Sequence, residues 1–120
     1  MQKRILVVDD DDMNLARTKM ILAKEYDVLL ADSGVQALHI LKNQKVDLVL
    51  LDIDMPLMNG IETFEHMKEF AADIPVIFLT ASGEVGAVVG ALLLGAVNYL
   101  RKPCPPQELL KRIAQELETE

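Results

Sequence analysis

One stretch constrains this chain more than any other: Asp47-Leu48-Val49-Leu50-Leu51-Asp52-Ile53-Asp54-Met55-Pro56. Its apolar run has no polar interruption, the pattern of a parallel strand covered on both faces. Asp52 stands where the run stops, and Met55-Pro56 and Asn59-Gly60 supply turn chemistry just beyond it. A carboxylate at the carboxyl end of a central parallel strand lies where open α/β sheets bind their ligands.

The same pattern recurs along the chain. Ile5-Leu6-Val7-Val8 predicts a short buried strand that runs into Asp9-Asp10-Asp11-Asp12. Asp11 or Asp12 suits the cap of a helix from near Met13 to about Lys24, with Leu15, Ile21 and Leu22 inward, which leaves Asp9 and Asp10 at the strand tip. Tyr26–Ala31 is a second strand. Asp32-Ser33-Gly34 opens a second helix to about Lys42, with Ala37, Leu38 and Leu41 inward. Asn59-Gly60 leads into a third helix carrying Ile61, Phe64 and Met67 at helical spacing.

Val76–Leu79 is a fourth strand that ends in Thr80, and a fourth helix is expected from about Gly83 to Leu94, with Gly95 as its stop. Val97–Leu100 is a fifth strand running into Arg101-Lys102-Pro103. Pro106 suits the first turn of a last helix with Leu109, Leu110, Ile113, Ala114 and Leu117 on one stripe. Strands and helices thus alternate five times in units of roughly 25 residues, which calls for a parallel sheet with right-handed crossovers.

Composition agrees. The 120 residues suffice for one domain, 1–120, with one core. Hydrophobic residues make up 51% and aromatics only 4%, so the core is aliphatic, as parallel strands under helices require. A formal charge of −7 argues against direct binding to nucleic acid or to an anionic membrane surface. The single cysteine, Cys104, excludes an internal disulfide and a multi-cysteine metal site. Met1-Gln2-Lys3-Arg4 and the short apolar run after it do not make a signal peptide, and no apolar span reaches membrane length. The expected setting is soluble and cytoplasmic.

In a parallel sheet the ends of these strands share one edge. That edge would carry Asp9, Asp10, Asp52, Thr80 and Lys102. Carboxylates gathered there repel unless a cation intervenes. Hard oxygen ligands, few in number, suit Mg2+, which keeps waters and accepts a phosphate oxygen. An ammonium and a hydroxyl complete a cage for a phosphoryl group, and one carboxylate can serve as the nucleophile.

These residues resemble a family. Ile5–Asp10, Leu51–Gly60, Leu79-Thr80-Ala81 and Gly95–Pro103, in this order at strand ends, resemble the receiver domain of two-component response regulators over essentially the whole chain. The resemblance implies a doubly wound, flavodoxin-like fold with five helices and strand order 2-1-3-4-5. It implies that Asp52 takes a phosphoryl group from the phosphohistidine of a histidine kinase or histidine phosphotransfer protein. Asp10 would bind Mg2+ directly, Asp9 would assist, and Asp54 would offer its backbone carbonyl. Lys102 would pair with phosphoryl oxygens, Thr80 would bond the phosphoryl group and shift on activation, and Tyr99 would change rotamer behind it. The Lys102-Pro103 bond would be cis, which proline alone makes easy. The output would be an attached domain, a protein partner or a homodimer.

The chain departs from the family in its fourth helix. Residues 84–94 hold one charge and two interior glycines, each of which weakens a helix by roughly 1 kcal/mol relative to alanine. Some of Val85, Val88, Val89, Leu92 and Leu93 must face outward, which suggests an interaction surface made with the fifth strand and last helix. His39 and His66, away from the strand tips, are expected to face solvent, and Cys104 to be a small packing residue. Two other functions were compatible with the fold. A flavin or nucleotide module is disfavoured by the acids after strand one and the absence of tryptophan. An aspartyl phosphatase is suggested by the spacing of Asp52 and Asp54 but disfavoured by the lack of a cap domain.

Overall fold

In the computed structural model, residues 2–80 and 98–118 are described. Five parallel strands form one sheet: β1 (Arg4–Val8), β2 (Asp27–Ala31), β3 (Leu48–Asp52), β4 (Val76–Thr80) and β5 (Asn98–Arg101). Their order is β2-β1-β3-β4-β5, with the chain returning on both sides of β1. Helices α1 (Asp12–Leu22), α2 (Gly34–Asn43) and α3 (Gly60–Met67) follow the first three strands, and a C-terminal helix spans Pro106–Glu118. The expected fourth helix, and Val97 at the start of the expected fifth strand, lie outside the described residues.

The unbroken apolar runs are explained by two cores, one on each face of the sheet. Alternate strand residues point to opposite faces. Leu6, Val8, Val49, Leu51 and Phe78 pack with Ala37 and Leu41 of α2 and Phe64 and Met67 of α3. Ile5, Val7, Leu48, Leu50 and Ile77 pack with Leu15 and Leu22 of α1 and Leu109 and Ile113 of the C-terminal helix. All five residues of β3 are buried, so a β3 side chain meets a core on whichever face it points to. Each such aliphatic side chain contributes roughly 2 kcal/mol of transfer free energy. Phe64 and Phe78 meet edge to face at 5.4 Å and tie α3 to β4.

Side chains at the helix starts set where each helix begins. Asp11 caps α1 by accepting from the N–H groups of Met13 and Asn14. Ser33 caps α2 through the N–H of Gln36 at 3.1 Å. Asn59 and Glu62 form a reciprocal box at α3: Glu62 N donates to Asn59 Oδ1 at 2.8 Å and Asn59 N donates to Glu62 Oε1 at 3.1 Å.

Several boundaries differ by a residue or two from the sequence expectation, and two of them share a cause. The α1 helix ends at Leu22 rather than Lys24, and β2 begins at Asp27 rather than Tyr26. The reason is that the N–H groups of Glu25 and Tyr26 both turn back to the Leu22 carbonyl. At the opposite edge of the sheet from the acids, Arg4 holds the strand starts together. Its N–H donates to Asp47 at 2.7 Å and its guanidinium to Asp27 at 2.8 Å.

Candidate functional site

The four consecutive acids after β1 have four different environments. Asp9 extends the ladder, its N–H bonding the Ala31 carbonyl at 3.1 Å, and its side chain is buried. Asp10 sits on the bend and is exposed. Asp11 is the α1 cap and Asp12 its first residue. The register of β1 on β3 (Val8 opposite Leu51) then brings Asp9 beside Asp52, which ends β3 and is only 4% exposed.

Asp9, Asp10 and Asp52 each offer a carboxylate oxygen, and the three oxygens lie within 4.8 Å of one another. Lys102, just past β5, reaches into this group. Its Nζ donates to Asp9 Oδ2 at 2.7 Å and lies 3.4 Å from Asp52 Oδ2. Asp9 Oδ1 accepts from the Asp11 N–H at 3.0 Å, so both its oxygens are engaged. Among the described residues, Asp52 Oδ1 accepts the longer bond from the Asp54 N–H, at 3.2 Å.

Burial pushes the Asp52 carboxyl from 3.8 up to about 6, against the pull of Lys102 and with a smaller push from Asp9. Burial alone would lower the Lys102 ammonium, but its bond to Asp9 and the charges of Asp52 and Asp9 outweigh that and hold it above its ordinary value. An acid titrating near 6 is about nine-tenths ionised at pH 7 and more basic than an ordinary carboxylate, a useful state for a nucleophile.

The donor set fits Mg2+. It consists of hard carboxylate oxygens on two adjacent strand ends, close enough for a single ion to draw on. Asp10, exposed, and Asp52, with one weakly engaged oxygen, are the available ligands; Asp9 is already held by Lys102 and the Asp11 N–H.

The loop after Asp52 is packed against it. The Gly60 N–H bonds the Ile53 carbonyl at 3.0 Å. A Cβ on Gly60 would collide with the Asp52 carbonyl and stand 2.8 Å from Ile53 Cα. Leu57, in the same loop, has φ of 67° and is fully exposed. Sequence reasoning took Asn59-Gly60 as a turn and missed this close approach and the strained leucine.

The other expected residues are placed as follows. Thr80 ends β4 opposite Arg101, one residue past Leu79, the partner of Asp52; its side chain lies outside the described set. Asp54 is exposed. Tyr99 of β5 is 39% exposed and lines a surface groove with Arg101, Pro105, Glu108 and Arg112. The Lys102-Pro103 bond is cis. Cys104 is partly buried against the α1-side core, and His39 and His66 are exposed. Val85, Val88, Val89, Leu92 and Leu93 lie outside the described residues. No helix among the described residues is long and apolar enough to cross a membrane.

The family model of the response regulator receiver domain matches residues 5–114. The chain is 40% identical over 114 residues to the response regulator MprA of Mycobacterium sp. (strain KMS), covering 94% of this chain and 50% of that protein. It is 41% identical over 117 residues to the transcriptional regulatory protein ZraR of Klebsiella oxytoca, covering 97% of this chain and 26% of that protein. It thus spans half or less of the length of these relatives. Among solved structures, the CheY-like receiver domain protein of Methanospirillum hungatei JF-1 superposes with a TM-score of 0.95 at 34% identity, covering 99% of this chain and 96% of that one. The strand order β2-β1-β3-β4-β5 is that of the CheY-like fold that these two chains share. The chain belongs to the receiver domains of two-component response regulators.

Proposed function

We propose that this chain is a single receiver domain, 1–120, that works as a Mg2+-dependent phosphoacceptor switch with Asp52 as the acceptor. The observation that carries the reading is the buried Asp52 carboxylate at the sheet edge, with Lys102 3.4 Å away and Asp9 and Asp10 converging on it. A carboxylate oxygen of Asp52 attacks phosphorus, the P–N bond of a donor phosphohistidine breaks, and the released imidazole keeps its electron pair and takes a proton. The product is an acyl phosphate. Bound Mg2+ supplies charge neutralisation for the phosphoryl oxygens. Asp10 and Asp52 would hold it, with Asp9 assisting and the Asp54 carbonyl as a further ligand.

Lys102 has a second task in this scheme. It stands between Asp9 and Asp52 and pairs with the phosphoryl oxygens once they arrive. Thr80 bonds the same group, and Tyr99 follows it. The switch then changes the surface formed by Tyr99, the C-terminal helix and the segment holding Val85, Val88, Val89, Leu92 and Leu93. A cytoplasmic histidine kinase or phosphotransfer protein is the donor; an output domain, protein partner or second copy reads the change. The domain catalyses only its own phosphorylation and dephosphorylation, and it does not itself contact nucleic acid or membrane.

The test is intact mass after incubation with Mg2+ and acetyl phosphate. One added phosphoryl group is expected in the wild type, none in Asp52→Asn and none when chelator is added first. An adduct that persists in Asp52→Asn, or that forms in chelator, refutes the proposal.

A further inference from the structure

The acidic site shares a wall with a cavity that phosphoryl chemistry does not use. It has a volume of about 270 Å3 and lies between α1 and the segment after β5. Asn14, Arg17, Thr18 and Ile21 line one side, spaced as one face of α1. Cys104 and Leu109 line the other, and Leu79 of the sheet lies between them. Asp9, Lys102 and Pro103 complete the lining.

Its chemistry is divided. Ile21, Leu79 and Leu109 offer an apolar surface. Arg17 and Lys102 stand in the lining with Asp9, and Asp52 lies 3.4 Å from the Lys102 ammonium. The Lys102 ammonium is shared by Asp9 and Asp52, but the Arg17 guanidinium has no partner among the described residues. A site with apolar walls and a few placed polar groups is the usual form of a small-molecule pocket. At the roughly 30 Å3 that a water-sized group occupies, about 270 Å3 admits roughly nine heavy atoms.

We propose that this cavity binds a small organic carboxylate with a compact apolar body, its carboxylate on Arg17 and Lys102 and its body against Ile21, Leu79 and Leu109. Asp52 is not itself a contact of the ligand. Its consequence rests on the phosphoacceptor reading: a carboxylate that engages Lys102 competes with Asp9 and Asp52 for the ammonium and slows phosphorylation of Asp52.

The chain's one cysteine reports on the cavity directly, because Cys104 lines it. The experiment follows alkylation of Cys104 by iodoacetamide in the full chain, in chelator and without phosphodonor, against increasing benzoate. Benzamide, a neutral molecule of the same shape, is the control. Saturable protection by benzoate is expected, with at least a tenfold weaker midpoint for benzamide and for Arg17→Gln, since a charge-assisted bond is removed in each. Arg17 is exposed, so Arg17→Gln folds, and Asp52→Asn, which frees Lys102 from one of its two carboxylates, should protect at the same or a lower benzoate concentration. No saturable protection overturns the site. Equal midpoints for benzoate and benzamide, or for wild type and Arg17→Gln, overturn the anion recognition. A second arm adds Mg2+ and acetyl phosphate: slower adduct formation in benzoate is expected for the wild type and not for Arg17→Gln, and protection without slowing overturns the regulatory role alone.

Discussion

Replacing Asp52 by asparagine is expected to stabilise the metal-free protein at neutral pH. The Asp52 carboxyl is raised from 3.8 to about 6, chiefly by burial. A raised acid binds its proton more tightly in the folded state than in the unfolded state. Below 3.8 it is protonated in both states and carries no penalty. Between 3.8 and about 6 the unfolded state ionises while the folded state keeps its proton, so stability falls through that window and levels off above it, where the folded state holds a buried charge. At about 1.36 kcal/mol per unit, the rise from 3.8 to about 6 converts to roughly 3 kcal/mol at pH 7 and above. Asparagine keeps the shape and can still accept the Asp54 N–H. Lys102 keeps its 2.7 Å bond to Asp9. The mutant should therefore gain most of that amount, on the order of 10 °C in melting temperature for a domain of this size. The assay is urea unfolding of both proteins in chelator from about pH 4 to about pH 8. Other titrating groups are common to the two chains and cancel in the difference. The difference should be small at the acid end, open between about pH 4 and about pH 6 in favour of the mutant, and level off above about pH 6. A flat difference, or a wild type that stays ahead at pH 8, refutes the reasoning.

Three further outcomes are expected. Mg2+ should raise the wild-type melting temperature at pH 7, by the equivalent of about 2.7 kcal/mol at a hundredfold excess over its Kd, and the gain should fall sharply in Asp10→Asn and Asp52→Asn; an equal gain in all three proteins places the ion elsewhere. Gly60→Ala should lose about 1–3 kcal/mol in urea unfolding and slow phosphorylation, because its Cβ meets the Asp52 carbonyl and moves the acceptor; unchanged stability contradicts the close approach. Leu57→Gly should gain roughly 0.5–1 kcal/mol, since the left-handed strain is relieved, no burial is lost, and the unfolded chain's added freedom takes back part of the gain; a loss of stability would show that the leucine side chain is supported.

The strands were legible because burial on both faces leaves no room for polar residues: Ile5–Val8, Leu48–Leu51 and Val76–Leu79 announce themselves. The acids and the lysine at their ends were legible because the edge of a parallel sheet collects strand termini, and the register of β1 on β3 brings Asp9 to Asp52 as expected. The orphan N–H groups of α1 called for a cap at Asp11 or Asp12, and the structure places it at Asp11.

Other features were hidden because they depend on distances rather than on residue types. The pairing of Lys102 with Asp9, closer than with Asp52, is set by how the chain leaves β5. The pressing of Gly60 on the Asp52 carbonyl depends on the path of the β3–α3 loop, and any turn glycine looks alike in sequence. Leucine gives no sign of a positive φ, so Leu57 could not be anticipated. The Arg4 clamp on Asp27 and Asp47 joins residues far apart in the chain.

The central claim is that Asp52, and no other acid of the cluster, becomes the acyl phosphate. It is tested most directly by treating the protein with Mg2+ and a phosphodonor, reducing with borohydride, and sequencing the peptides by mass spectrometry. An acyl phosphate on aspartate is reduced to homoserine. Homoserine at position 52, dependent on Mg2+ and on the donor, is the predicted result. Homoserine at position 9, 10 or 54 with none at 52 would contradict the account.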